Sequence, residues 1–442
     1  MSLLNVDKVD PSSGTALELG TSGDTITVPT GAGLTVTDEV KTNKVSPATG
    51  TAFALGDSGD TFTVPSGATI VNSGTATGFG ITSASFLPYA NPVLINGNMA
   101  IAQRGTSEAG ATGSKYVCDR YQTRISSAGT WTITQEALSA DEAYEDGFAT
   151  ASKMDCTTAD ASLAVGAYMR FHYCVEAQNC QLFKLGNAGS DTLTLAFWVK
   201  ATKTGTNVAT MIQTDPDRMC CQSYTVDVTN TWEHKVLNFP ADTAGAGINN
   251  DTGEGLEIEF NMASGTNFTS GTLETTWAAK VNANRAVGQV NHADSTSNNF
   301  HITGVQLEAG TYTSATLPPF RHESYGDNLR RCQRYYFKLT RDATNCAIGM
   351  GRYWSTTNGG GMFNFPVSMR PNPSFENVDG TSYWTASAHG ANDYFDGMTQ
   401  NDSSPNTAGW YSSGGMGSPT LESGFIVMTN SASARAAWDS EL

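Results

Sequence analysis

The 442-residue sequence predicts an all-β protein, on three observations. Runs of five to ten residues alternate apolar and polar side chains at the strand period, glycine is abundant at 45 residues, and charged residues make up only 15% of the chain. A chain of this length exceeds one compact core, so several domains are expected. We divide it into 1–90, 91–320 and 321–442. These are a shaft of short β-repeats, a central antiparallel sandwich, and a short linking helix followed by a smaller β-sandwich-like region.

The first region repeats itself. "GTALELGTSGDTITVP" at 14–29 returns as "GTAFALGDSGDTFTVP" at 50–65, with twelve of sixteen positions identical at an offset of 36, and Val9 and Pro11 return as Val45 and Pro47. Each unit reads as short strands punctuated by Gly-Asp turns, which makes Asp24 and Asp60 turn residues. Two such units fall short of the three or more that a stacked repeat normally needs. No cysteine precedes Cys118 to staple them. Partner copies of the chain are the remaining source of core, so a homotrimer wound through residues 1–90 is expected.

Cleaner strands fill 91–320. "TLTLAFWVKA" sets Leu193, Leu195, Phe197 and Val199 on one face with Thr192, Thr194 and Trp198 on the other. "GLEIEFNM" sets Leu256, Ile258, Phe260 and Met262 inward and Glu257, Glu259 and Asn261 toward solvent; "YMRFHYCV" contributes Met169, Phe171, Tyr173 and Val175, and "FHITGVQLEAG" contributes Val305 and Leu307. The spacing fits an immunoglobulin-like sandwich or a jelly roll. One segment, "SYGDNLRRCQRYYFKL", reads as a helix: Tyr325, Leu329, Cys332 and Tyr336 recur at helical spacing, and Ser324 with Asp327 forms a capping box. Short strands and Gly/Ser/Asn loops then occupy the rest.

Composition excludes several function classes. With 25 basic against 42 acidic residues the formal net charge is −17, which repels phosphate backbones and anionic lipid. The first residues do not read as a secretory signal, and no apolar run is long enough to span a bilayer. The eight cysteines are scattered and read as buried thiols of a protein made in a reducing compartment.

Catalytic and metal signals are weak. Glycan hydrolysis needs two carboxylates about 5–10 Å apart, one with a raised pKa. Glu254, Glu257 and Glu259 form one acidic stretch, and Asp141, Glu142, Glu145 and Asp146 another. The first lies on a solvent-facing strand row and the second in a loop without apolar shielding. His172, Cys174 and Cys180 match no standard zinc spacing. No cofactor or catalytic residue is assigned, and a polysaccharide depolymerase stands only as an alternative.

Binding is better supported. The last region holds the adjacent aromatic pairs Tyr353-Trp354, Tyr383-Trp384, Tyr394-Phe395 and Trp410-Tyr411, with Arg352 and Asp393 beside two of them. Successive residues of an extended segment point to opposite faces, so one ring of each pair faces away from the local core. Exposed Trp and Tyr rings stack on sugar faces or fill subunit interfaces. Arg352, Tyr353, Trp354, Tyr383, Trp384, Asp393, Tyr394, Trp410 and Tyr411 are the receptor-site candidates.

Three segments carry a resemblance. "NPVLINGNMAIAQRGTS" (91–107), "YVCDRY" (116–121) and "ITGVQLEAGTYTSATLPPFRHESYGDNLRRCQRYY" (302–336) resemble the jelly-roll modules of tail-fibre and receptor-binding proteins of tailed bacteriophages. The N-terminal repeat resembles thin fibre shafts. The resemblance implies a homotrimeric virion fibre, attached by residues 1–90 to tail or adaptor proteins, with a C-terminal tip that meets the bacterial surface. A capsid or vertex fibre differs only in the attachment partner. The sandwich is also similar to carbohydrate-binding modules, but where those often place an acidic calcium-binding pair this chain has Thr303 and Gly304, so the calcium site is not carried over.

Overall fold

The computed structural model describes residues 92–442 apart from positions 372, 389, 415 and 418–422. The repeat at 14–65 and the trimer it implies lie outside the described residues. The described residues form thirteen strands up to Ala309: β1 (Ser107–Ala111), β2 (Lys115–Tyr116), β3 (Tyr121–Ser126), β4 (Thr130–Ala137), β5 (Thr150–Thr158), β6 (Tyr168–Glu176), β7 (Leu193–Ala201), β8 (Gly205–Gln213), β9 (Arg218–Val226), β10 (Glu233–Phe239), β11 (Glu254–Ser264), β12 (Ala278–Ala279) and β13 (Asn299–Ala309). Two one-turn helices, α1 (Glu142–Glu145) and α2 (Thr266–Thr269), interrupt them. The strands build a six-stranded sheet, β1-β4-β5-β13-β7-β10, and a seven-stranded sheet, β12-β9-β8-β11-β6-β3-β2. The all-β reading holds.

The core between these sheets is made by the rows the alternation predicts. Leu193, Leu195, Phe197 and Val199 of β7 and Val305 and Leu307 of β13 meet Met169, Phe171, Tyr173 and Val175 of β6 and Leu256, Ile258, Phe260 and Met262 of β11. Phe197 packs edge-on against Phe260, with centroids 4.8 Å apart.

The opposite face of β11 departs from expectation. Glu259 and Asn261 are fully buried rather than solvated. Arg285, from the segment after β12, covers Glu259: its Nε donates to Glu259 Oε2 at 2.7 Å, and Arg170 approaches Glu259 from β6 at 3.5 Å. Burial alone would raise the Glu259 pKa, but Arg285 and Arg170 outweigh it and hold the carboxyl at about 2. A general acid needs the opposite shift, so this carboxylate is structural. The one-turn helices also escaped the sequence, because four residues carry no measurable period.

The helix α3 (Tyr325–Cys332) begins where the capping signal put it: Ser324 Oγ accepts from the Asp327 amide at 3.2 Å. Its buried positions are Asn328 and Cys332, whereas Tyr325 is exposed and Tyr336 belongs to the next strand. The three segments that carried the family resemblance converge here. Asn96 Nδ2 donates to the Ile101 and Asp119 carbonyls at 2.9 Å each, and the Arg120 guanidinium lies 3.5 Å from the Tyr335 ring. Arg104 stacks equally close over Tyr336. These polar and aromatic contacts tie the turn at Asn96 and the start of β3 to the end of α3.

After α3 come β14 (Tyr336–Lys338), β15 (Ala347–Tyr353), β16 (Gly359–Asn364), β17 (Ser374–Val378), β18 (Trp384–Ala388), β19 (Ala391–Phe395), β20 (Gly397–Ser403), β21 (Thr407–Ser413), β22 (Gly424–Thr429) and β23 (Arg435–Asp439). β14, β23 and β17 form a three-stranded sheet, and the rest a seven-stranded sheet ordered β19-β18-β22-β15-β16-β21-β20. Only Asp396 separates the two edge strands in sequence. With consecutive Cα atoms about 3.8 Å apart, the end of β19 and the start of β20 lie close together, which joins the two ends of the strand order through one residue. Phe395 and Trp410 stack on each other at 6.0 Å.

All eight cysteines are free thiols and seven are buried. Burial pushes Cys118 and Cys180 up to about 12, so neither is a thiolate at neutral pH.

Candidate functional site

The aromatic pairs of the seven-stranded sheet after α3 obey strand alternation. Tyr353, Trp384, Phe395 and Trp410 point inward and are at most 3% exposed, while Trp354, Tyr394 and Tyr411 point outward at 38–42%. Tyr383 is half-buried against the core. The rings of Tyr353, Trp384 and Trp410 therefore belong to packing, not to a recognition surface. Trp384 is fixed by Asp379, whose Oδ1 accepts from its indole Nε1 at 2.9 Å.

The outward rings do not gather in one place. Strand order puts Tyr394 of β19 three strands away from β15. Asp393 faces the interior side of the same strand, where its Oδ1 accepts from the Gly417 amide at 3.0 Å; burial, and after it the Asp393 charge, raises the Tyr353 pKa. By contrast, Arg352 pairs with Gly360 across β15 and β16, and Gly360 pairs with Tyr411 of β21. Arg352, Trp354 and Trp410 line one open cleft of about 580 Å³, with Tyr411 beside it.

The hairpin between β15 and β16 holds Trp354 in place. The Trp354 and Ser355 amides both donate to the Asn358 carbonyl, and Ser355 Oγ accepts from the Asn358 amide at 2.9 Å. The indole can then lie on the sheet because glycine is beneath it: a Cβ at Gly360 would collide with Trp354 Cη2. At Gly409 on β21 a Cβ would stand 2.6 Å from Asn401 Oδ1, so the Asn401 amide likewise rests directly on backbone. Both neighbours of these side chains lack a side chain of their own, which makes a flat floor.

Around that floor, Met350 and Met362 are 72% and 63% exposed and supply apolar surface. Asp402, Ser403, Ser404 and Thr407 supply polar groups along one wall. A bulge between Gln400 and Ser403 turns the Asp402 stretch toward the cleft, and Ser404 Oγ accepts from the Asn406 and Thr407 amides to hold the turn. The result is an apolar platform edged by a guanidinium, a carboxylate, an amide and hydroxyls. Such a surface suits an amphipathic ring with hydrogen-bonding groups on its rim.

Sequence reasoning found the rings and Arg352 but missed Met350, Met362, Asn401, Asp402 and the glycine floor. The run "GGGMFN" was a usable signal, since three glycines inside a strand mark close approach by another group.

No protein family and no curated protein matches the sequence. Among solved structures, the chain is similar to the enzymatically active domain of tailspike protein 4 of bacteriophage CBA120, at 16% identity and a TM-score of 0.25 over 43% of this chain and 19% of that one. It is similar to a putative sugar-binding protein of Bacteroides thetaiotaomicron at 12% identity and a TM-score of 0.28, over 50% of this chain and all of that one. It is also similar to the N-terminal cellulose-binding domain of Cellulomonas fimi β-1,4-glucanase C, at 11% identity and a TM-score of 0.22, over 49% and 95% of the two chains.

Proposed function

We propose that this protein is a virion adhesin: a homotrimeric phage tail fibre, assembled in the host cytoplasm, that attaches through residues 1–90 to tail or adaptor proteins and recognises a bacterial surface glycan or protein with its C-terminal region. The observation that supports the recognition half is the platform formed by Trp354 over Gly360, edged by Arg352, Asn401 and Asp402. Rigid aromatic area with few polar contacts gives modest affinity at each site. Three sites at fixed spacing multiply that affinity without new contacts. The buried Glu259–Arg285–Arg170 cluster, with its low carboxylate pKa, speaks for binding rather than acid catalysis in the sandwich.

The test is adsorption of the purified full chain to host envelopes, run beside a native mass measurement. Saturable adsorption by a trimer, lost in Trp354→Ala, supports the reading. A monomer, or adsorption indifferent to Trp354, sinks it. New reducing ends on the envelope glycan instead identify a depolymerase.

A further inference from the structure

The outer face of the six-stranded sheet carries a second cleft, of about 520 Å³, unrelated to the C-terminal platform. Trp198 of β7 sits in register between His234 of β10 and Thr303 of β13. The indole and the His234 ring are 5.1 Å apart. Next to them β13 bulges between Thr303 and Gln306, and Gly304 takes φ +61°. A Cβ there would stand 2.7 Å from Phe148 Cζ and 3.1 Å from Trp198 Cδ1. The missing side chain thus lets two rings from different elements converge on one spot.

Phe320 and His322 complete the wall. Their rings lie 4.9 Å apart, and Phe148 is 4.9 Å from Phe320 and 5.2 Å from His322. One carboxylate faces this set of five rings. Asp146, the C-cap of α1, accepts from Trp198 Nε1 at 3.0 Å. No lysine or arginine is among the residues that line the cleft. Burial holds His234 below its usual range even though Asp146 pulls the other way, so its imidazole is neutral at pH 7.

Charge decides what fits. A carboxylate without a facing cation repels phosphates and acidic sugars. Among the described residues no group of three or more His, Cys, Asp or Glu side chains is placed to hold a metal ion. Aromatic rings attract cations through their quadrupole within about 6 Å, and the carboxylate adds a counter-charge.

We propose that this cleft binds an organic ammonium cation, a quaternary or methylated amine headgroup of the choline type, between the Trp198–His234 and Phe148–Phe320–His322 rings with Asp146 as its counter-ion.

The test titrates the full chain with choline and with 3,3-dimethylbutan-1-ol, which has the same shape without the charge, and follows ligand saturation-transfer NMR and tryptophan fluorescence. Choline is expected to bind saturably and the neutral isostere about tenfold or more weakly, the ratio that about 1.4 kcal/mol of cation–π and charge attraction gives. Asp146→Asn keeps an acceptor for the indole and is expected to weaken choline several-fold with an unchanged melting curve. Trp198→Leu is expected to abolish binding, and Trp354→Ala to leave it intact. The proposal is overturned by no saturable choline binding, by equal binding of the isostere, or by binding that survives both cleft variants. Any of these leaves the C-terminal platform untouched.

Discussion

Arg120 and Glu441 stand 321 residues apart in sequence and close an ion pair whose side chains are 1% and 4% exposed. Arg120 also donates to the Cys174 carbonyl of β6 at 2.6 Å. Arg104 reaches Asp439 at 2.9 Å, and Arg370 donates to the Ser440 and Glu441 carbonyls at 2.7 Å each. The last residues are thereby clamped against the sandwich. Removing one partner of a buried pair leaves an uncompensated charge, so Glu441→Ala is expected to cost about 3–5 kcal/mol in urea unfolding. The double variant Arg120→Met with Glu441→Leu should recover most of that loss; a double variant as unstable as the single one would show that the pair's hydrogen bonds matter more than its charge.

Protonation of His292 sets an acid limit on stability. The ring is fully buried in contact with Asn207 Oδ1 at 2.8 Å, and burial lowers its pKa to about 3. Its unfolded pKa is about 6.5, so the unfolded chain binds the extra proton between those values. Stability is therefore full above pH 6.5 and falls as pH drops toward 3, by up to about 1.4 kcal/mol per pH unit. Melting temperatures of His292→Gln across pH 4.5–7 should fall less steeply than those of the parent. Parallel curves would contradict the assignment. Glu259 adds loss in the same direction only below about pH 4.5, and does not confuse the comparison.

Removing the indole should separate recognition from folding. Trp354 is 40% exposed at a hairpin tip, so Trp354→Ala is expected to leave the melting temperature within a degree or two and to reduce adsorption about tenfold or more. Gly409→Ala moves only the far end of Asn401 and should alter ligand preference without unfolding the sheet. The measurement is a melting curve beside an adsorption isotherm for each variant.

A side chain at Gly304 has two faults at once, a left-handed backbone and a ring 2.7 Å from the new Cβ. Gly304→Ala is expected to cost about 1–3 kcal/mol, read from urea midpoints. A neutral result would mean that Phe148 swings away at little cost.

What the sequence made legible was one-dimensional. The rows Leu193–Val199 and Leu256–Met262 announced themselves because a strand with one face in the core must alternate. The same rule put one ring of each adjacent pair outside the core but did not say which; the structure keeps Tyr353 and Trp410 inside and turns Trp354 and Tyr411 out. Glu259 broke the rule because its cover, Arg285, comes from a patternless stretch after β12, and nothing local says that a polar row will be roofed over. The platform was half visible for a similar reason: rings can be counted along a chain, but Trp354 resting on Gly360 is a contact across strands. The second cleft was invisible, since Phe148, Trp198, His234 and Phe320 share no segment and meet only through strand register.

The single-residue joint at Asp396 has one more effect. It ties the first and last strands of the order to one another, so neither can peel away from the sheet without pulling on its opposite number.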